Sequence, residues 1–507
     1  MPDEPAILGF RQDRVGARLI CILNVLRLGA LFGVPARFAW LSQPGGPYPD
    51  LADPAEILSR GFIRDHLLIV DEAPDRAGRE SLPLAAAALP VAQMAELLGQ
   101  GKRWFCDAAF EMLAFRGERA ADVAAQTGRL VADLPLAGPL ARAHRKALVR
   151  LARVGDETPV AIHVRRGDIL DGDPWSFTAW PSKYVPDEFF RAFIAGTMGP
   201  VVAFSDTPEA VRHLAQGDPR IVPVGDLIDD AGLSTVQRDV LELLLMAGCS
   251  KVGAPDSSAF SRAAQVVGGV RVVPLPAGLP NAERLAAFDA LLGRAMSAPG
   301  SFLAPGDRAQ SLHHAAAHAG TTGRGGELVA ACGDDHALLD RFPFLMGTLA
   351  VLAVRSGQTG RALDLARRMP GNDRLQRRDL IIGEQVGLAA RVLESPDAPP
   401  DAVEAEYLFD LFVGRRANGL LMPWLGGLIL GRAGAAARSL RLTPELVRRL
   451  AGTAPQDSGN SPAQPAEVPP WIAQLGWVEL VETPGVLQQL RHWPPAARKL
   501  APAAAVL

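Results

Sequence analysis

From residue 155 to 297 short apolar runs alternate with longer amphipathic stretches, and this rhythm constrains the fold more than any other property of the chain. Strands are expected near 159–164, 200–205, 219–224, 250–254 and 270–274, with helical stretches between them and a closing helix over 281–296. Strands that alternate with helices in this way build a parallel, doubly wound sheet. In such sheets ligands sit at the carboxyl ends of the strands. The residues that follow each strand are therefore where chemistry is to be sought.

The first strand of the series runs into Ile162-His163-Val164-Arg165-Arg166-Gly167-Asp168, so an apolar run ends abruptly in an imidazole, two guanidiniums and a carboxylate. Adjacent arginines splay at a strand end, and a planar guanidinium grips phosphate oxygens through paired hydrogen bonds. The pattern points to a phosphate ester; its plain alternative is a solvated cluster in which Arg and Asp form a local ion pair. The next strand ends in Ser205-Asp206 ahead of Thr207-Pro208-Glu209, which is equally an ordinary helix N-cap. Further on, a helix carrying Asp239 and Glu242 leads through a brief strand to Asp256-Ser257-Ser258-Ala259-Phe260-Ser261-Arg262, where a second helix is expected to start near Ser257. Free backbone N–H groups and the macrodipole make such a helix start an anion site, and two hydroxyls there can donate to phosphate. At the other end of the chain, Gly9 to Arg18 precede a long apolar helix over 19–32 and a strand at 37–41.

Taken in order, Arg14-Val15-Gly16, H-x-R-R-x-D, the stretch Ser182 to Phe190, Ser205-Asp206 and the Ser257-Ser258 turn resemble the fucosyltransferase superfamily over roughly residues 7 to 295. That superfamily comprises the α1,2- and α1,6-fucosyltransferases, the nodulation fucosyltransferases and the protein O-fucosyltransferases. The resemblance implies an α/β fold of two Rossmann-like domains facing across a cleft, of GT-B type. It also implies a GDP-fucose donor held mainly by the second domain, GDP as product, inversion at the anomeric carbon and no obligatory metal. Carried over residue by residue, Arg165 and Ser258 would hold the β-phosphate, supported by Ser257 and neighbouring amides. Main chain near His163 and an acid on the preceding helix, Glu242 or its competitor Asp239, would read guanine. Arg14, Gly16, Arg166, Asp168, Ser205, Asp206, Asp256 and Ser261 complete the donor-binding set. Ala17 stands where the family has asparagine, a departure that bears on the acceptor side. The base for the acceptor hydroxyl would be a carboxylate or imidazole in the cleft, with Asp13 as candidate. Two rival readings are a degenerate transferase fold acting as a scaffold through its helical region, and a transferase that uses another nucleotide sugar.

The 52 Lys and Arg nearly balance the 55 Asp and Glu, a net charge of −3, so the overall balance gives no reason to expect a nucleic-acid partner. Cys21, Cys106, Cys249 and Cys332 lie far apart without C-x-x-C spacing, against a disulfide framework or thiolate zinc site. Met1 to Pro5 lack the positive start of a secretory leader, and Asn24 and Arg27 interrupt the 19–32 run, which reads as too short and polar to span a membrane. A cytoplasmic, bacterial protein is the expectation.

The expected domains are 1–154, with strands at 36–42 and 67–71 and helices at 118–133 and 140–154; the nucleotide-sugar domain, 155–299; and a helical region, 300–451. A flexible linker, 452–470, and a docking tail, 471–507, follow. Beyond residue 300 the strand signal vanishes, and 344–354 with 361–368 read as a helical hairpin with Leu349, Leu352, Ala362 and Leu365 at core spacing, similar to a tetratricopeptide unit. Further helices are expected at 379–393, 402–413 and 443–450. This region suits binding of an acceptor protein or an assembly partner, or simply adds a packing layer or a dimer contact; the acceptor of the transfer itself would be a glycan or a protein. His313, His314 and His318 include an i,i+4 pair, but spacing places no third metal ligand.

Overall fold

The computed structural model describes residues 4–155, 157–170, 183–229, 232–375 and 377–395, with positions 403–404, 425, 441–442 and 478–479. The chain forms two compact units, residues 1–291 with 301–311, and residues 292–300 with 312–507.

The first unit contains two five-stranded sheets, parallel throughout. Its first half runs β1 (Ile7–Phe10), α1 (Val15–Phe32), β2 (Ala36–Leu41), α2 (Arg60–His66), β3 (Leu67–Val70), β4 (Arg79–Ser81), α3 (Leu82–Ala88), α4 (Val91–Gly99), β5 (Arg103–Cys106), α5 (Ala120–Ala132) and α6 (Gly138–Leu151). The strand order is β3-β2-β1-β5-β4. The second half runs β6 (Val160–Val164), α7 (Asp187–Ala195), β7 (Val201–Ser205), α8 (Pro208–Ala215), β8 (Ile221–Pro223), α9 (Thr235–Ala247), β9 (Lys251–Pro255), α10 (Ala259–Gly268), β10 (Arg271–Leu275) and α11 (Asn281–Ser297). Here the order is β10-β9-β6-β7-β8. Successive connections leave β6 toward β7 and then return to β9 on its other side, so the strand order reverses between β6 and β9, the kind of crevice where open α/β sheets bind ligands.

All five strands of the second sheet fall where alternation predicts them. In the first sheet β1, β4 and β5, of three or four residues each, were not anticipated. The helix expected near Ser257 begins at Ala259, with Ser258 as its cap.

The apolar α1 has the length and hydropathy of a membrane-crossing helix, but 83% of it is buried inside the protein. It packs on β1 and β2 and also on α9 and α10, which is why it is apolar all round. Both interrupting polar residues find partners. Asn24 donates to the carbonyls of Ile20 and Glu111 and accepts from the Leu113 amide, and Arg27 pairs with Glu118 at 2.7 Å.

The second unit is helical over its contiguous described stretch. After α12 (Pro305–Thr321), whose first turns belong to the first unit, come α13 (Gly325–Cys332), α14 (His336–Arg341), α15 (Phe344–Arg355), α16 (Thr359–Arg367) and α17 (Arg377–Glu394). The expected hairpin is α15 with α16, and Leu349, Leu352, Ala362 and Leu365 are all buried. One strand pair, β11 (Arg441–Leu442) antiparallel to β12 (Val478–Glu479), occurs where no strand was expected. Apart from positions 403–404, the helices expected at 402–413 and 443–450 lie outside the described residues, as does the linker.

Candidate functional site

β6 is buried along its whole length, and the chain leaves it at the point of strand-order reversal. The two arginines that follow are sent to opposite fates. Arg166 is 1% exposed. Its guanidinium pairs with Asp187 at 2.7 Å and Asp307 at 2.9 Å, donates to the carbonyls of Arg165 and Val185, and lies over the Tyr184 ring. Burial works against the charge, but Tyr184, Asp307 and Asp187 together hold its pKa above the usual arginine value. The Tyr184 hydroxyl is in turn 2.6 Å from Asp307 Oδ1 and 2.8 Å from Ser311 Oγ, and Asp307 Oδ2 accepts from the Leu303 amide. Of the two motif arginines, Arg166 is thus the internal fastener of its turn. The sequence offered no sign of Asp307, which reaches this turn from the far end of the unit.

Arg165 points the other way, with 31% of its side chain exposed. It pairs with Asp168 at 2.7 Å and with Asp206 at 3.1 Å. Asp206, just past β7, also accepts from the backbone N–H groups of Arg166 and Gly167 at 2.9 and 3.1 Å. A Cβ on Gly167 would fall 2.7 Å from Asp206 Oδ2, so glycine is what lets the carboxylate close this turn. Ser205 accepts from the Thr207 amide, the turn-closing role that its position before a helix had offered as an alternative.

Across the reversal point, the chain leaving β9 brings Ser258 to His163. Ser258 Oγ is 3.3 Å from His163 Nδ1 and caps α10 by accepting from the Ser261 amide. His163 is buried beside Phe260. Burial, opposed by Asp206 and aided by Arg165, lowers its pKa to about 4, so the ring is neutral at ordinary pH. Ser261 is buried and its hydroxyl returns to the Ser258 carbonyl, whereas Asp256 is exposed and Ser257 half-exposed at the helix start. His163, Arg165, Asp168, Asp206 and Ser258 therefore gather at the carboxyl ends of three neighbouring strands.

The two acids on α9 separate. Glu242 is mostly buried and pairs with Arg238 at 3.2 Å; burial first, then Asp239 and Asp206, outweigh that pairing and raise its pKa to about 7. Asp239 instead takes Arg14 at 2.6 Å, and Arg14 also reaches Asp50 at 3.1 Å. Burial leaves the Asp239 pKa above its ordinary value despite Arg14. Gly16 is the second residue of α1, where a Cβ would lie 3.0 Å from the Ala259 carbonyl; its absence lets α1 approach the backbone of α10. Asp13 is half-exposed, pairs with Arg11, and accepts through its carbonyl from Arg18, whose guanidinium lies over Trp40. Among the described residues no group of three His, Cys, Asp or Glu side chains is arranged to hold a metal. His313 is 3.2 Å from the Thr348 hydroxyl.

Among solved structures the chain is similar to the fucosyltransferase NodZ from Bradyrhizobium, with 14% identity over 54% of this chain and 95% of that one, at a TM-score of 0.34. It is similar too to NodZ α-1,6-fucosyltransferase soaked with GDP-fucose (14% identity, 54% and 96% covered, TM-score 0.31) and co-crystallised with GDP (14%, 53% and 93%, 0.32). No protein-family model matches the chain, and no curated sequence matches it. Similarity this distant specifies neither substrate nor chemistry for this chain, which rest on its own residues.

Proposed function

We propose that the protein is a glycosyltransferase that takes fucose from GDP-fucose and passes it, with inversion and without an obligatory metal, to an acceptor hydroxyl. The observation that carries this reading is the meeting of Arg165 with the His163–Ser258 pair and the start of α10 at the reversal point of a parallel sheet. A sugar diphosphate is the ligand that such a set of donors fits. In the reaction the bond between the anomeric carbon and the β-phosphate oxygen breaks, and negative charge grows on the diphosphate. Arg165, the amides opening α10 and the half-exposed Ser257 hydroxyl are fixed where that charge develops, so their help falls on the transition state. Neutral His163 holds Ser258, and Asp206 holds Arg165, each fixing a phosphate-facing group. Glu242 as a carboxylate accepts the N1 and N2 hydrogens of guanine. Asp13 takes the acceptor proton as the new bond forms.

Calorimetric titration of GDP-fucose, GDP, GDP-mannose and several UDP-sugars against the parent protein and Arg165→Ala tests the reading. Selective GDP-fucose binding that disappears in the variant is expected, and loss of such a donor group lowers turnover about a hundredfold. A folded parent that binds none of these nucleotides overturns it. That outcome favours the scaffold reading, for which Ala17 and the prior engagement of Arg165 by two carboxylates speak.

A further inference from the structure

The small net charge of the chain conceals a local imbalance. Residues 134–155 contain no Asp or Glu, while Arg142, Arg145, Lys146, Arg150 and Arg153 supply five positive charges. All five lie on or just after α6, which buries Leu140, Ala147 and Leu151 and packs on α9. The opposite side of the helix carries Arg142, Arg145, Lys146, Val149 and Arg153, a spacing that forms one stripe, and all are exposed. Arg150 donates to the Leu227 carbonyl, but Arg142, Arg145, Lys146 and Arg153 have no ion-pair partner among the described residues. The contrast with other helices is direct: Arg119 pairs with Asp122, Arg212 with Glu209 and Arg324 with Glu327 on their own surfaces.

Within this cationic surface two aliphatic side chains stand out of the protein, Val149 at 53% exposure and Leu148 at 37%. Cations around protruding aliphatic tips are what a helix lying in a bilayer interface presents, with charge at the headgroups and the tips at the acyl boundary. Single-stranded nucleic acid would call for aromatic stacking, and residues 134–155 contain no Phe, Tyr or Trp; a duplex offers phosphates alone and gives the protruding aliphatic tips nothing apolar to enter. We propose that the exposed face of α6 docks the protein on an anionic phospholipid bilayer, with Arg142, Arg145, Lys146 and Arg153 on the headgroups and Val149 and Leu148 reaching below them. The surface lies outside the nucleotide-sugar site and does not rest on the proposed transferase activity.

Co-sedimentation of the full chain with vesicles tests this. Binding is expected to vesicles of phosphatidylcholine mixed with phosphatidylglycerol and not to pure phosphatidylcholine, and is expected to weaken as salt screens the charges. Each basic side chain near an anionic surface contributes roughly fivefold to partitioning, so Arg142→Gln/Arg145→Gln/Lys146→Gln should lower it on the order of a hundredfold. The substituted positions are exposed, and circular dichroism checks the fold. Arg142→Lys/Arg145→Lys should retain binding, and Val149→Ser should weaken it with every charge in place. No sedimentation with the anionic vesicles overturns the proposal. So does undiminished binding by the triple Gln variant, or heparin binding by the parent with vesicle binding indifferent to Val149→Ser.

Discussion

Asp307→Ala should loosen the H-x-R-R-x-D turn from a position far along the chain. The substitution removes one of the two carboxylates facing a guanidinium that is 1% exposed, together with the acceptor of the Leu303 amide and one acceptor of the Tyr184 hydroxyl, which keeps the Asp307 carbonyl and Ser311. Breaking a buried ion pair by deleting one partner costs about 3–5 kcal/mol, because the remaining charge stays buried without full compensation. Asp187 remains 2.7 Å from Arg166, which places the expected cost near the bottom of that range, about 3 kcal/mol. A chain with two compact units need not unfold in one step, so the readout should be local. Amide hydrogen exchange of peptides covering 160–170 and 184–195 reports the opening free energy of this segment. With 1.4 kcal/mol per factor of ten, exchange there should speed up about a hundredfold, while peptides from β1 and β2 change little. Asp307→Asn, which keeps an acceptor for Tyr184, should fall between parent and Ala. Unchanged protection in the 160–170 peptide would show that the Arg166 network does not hold the turn.

Glu242→Gln tests the raised carboxyl. Its pKa of about 7 in the fold exceeds the ordinary 4.5, so the unfolded chain gives up its proton first and the parent loses stability as pH rises between those values. The Gln variant should therefore gain on the parent by up to about 3 kcal/mol near pH 8 and by almost nothing near pH 4; thermal melts in which the gain fails to grow with pH would contradict this. In the proposed site the same titration makes GDP-fucose affinity of the parent rise with pH through about 7, and a flat profile would remove Glu242 from guanine recognition. Asp168 is 57% exposed and competes with any anion for Arg165, so Asp168→Asn should tighten donor binding, by no more than about fivefold since exposed pairs contribute 0.2–1 kcal/mol. Weaker calorimetric binding by that variant would make Asp168 a partner of the ligand instead.

The legibility of the site from sequence was uneven for a physical reason. Ser205 closes a turn with a neighbour two positions away, and its capping spacing was visible, whereas Ser261, carried over as a ligand group, turns back to the Ser258 carbonyl. Asp239 and Glu242 looked interchangeable one turn apart, and only the approach of Arg14 from the first sheet separates them. The basic face of α6 disappeared in a whole-chain charge of −3 and emerges once the helix has a buried side and an exposed one.

What the sequence determined by itself was periodic or local: the alternation that demands a parallel sheet, the apolar β6 ending in charge, the helix start beside Ser257 and Ser258. Those follow from backbone geometry and side-chain type over a few residues, so they can be read without knowing where the rest of the chain goes. The division of labour between Arg165 and Arg166 was decided only in three dimensions. The two are chemically identical neighbours, and what makes one a buried fastener and leaves the other half-open is the delivery of Asp187, Asp307 and Tyr184 to one side of the turn and of Asp206 to the other. A buried guanidinium is tolerable only where folding brings it carboxylates, and partners from such distant segments leave no mark in the residues around it.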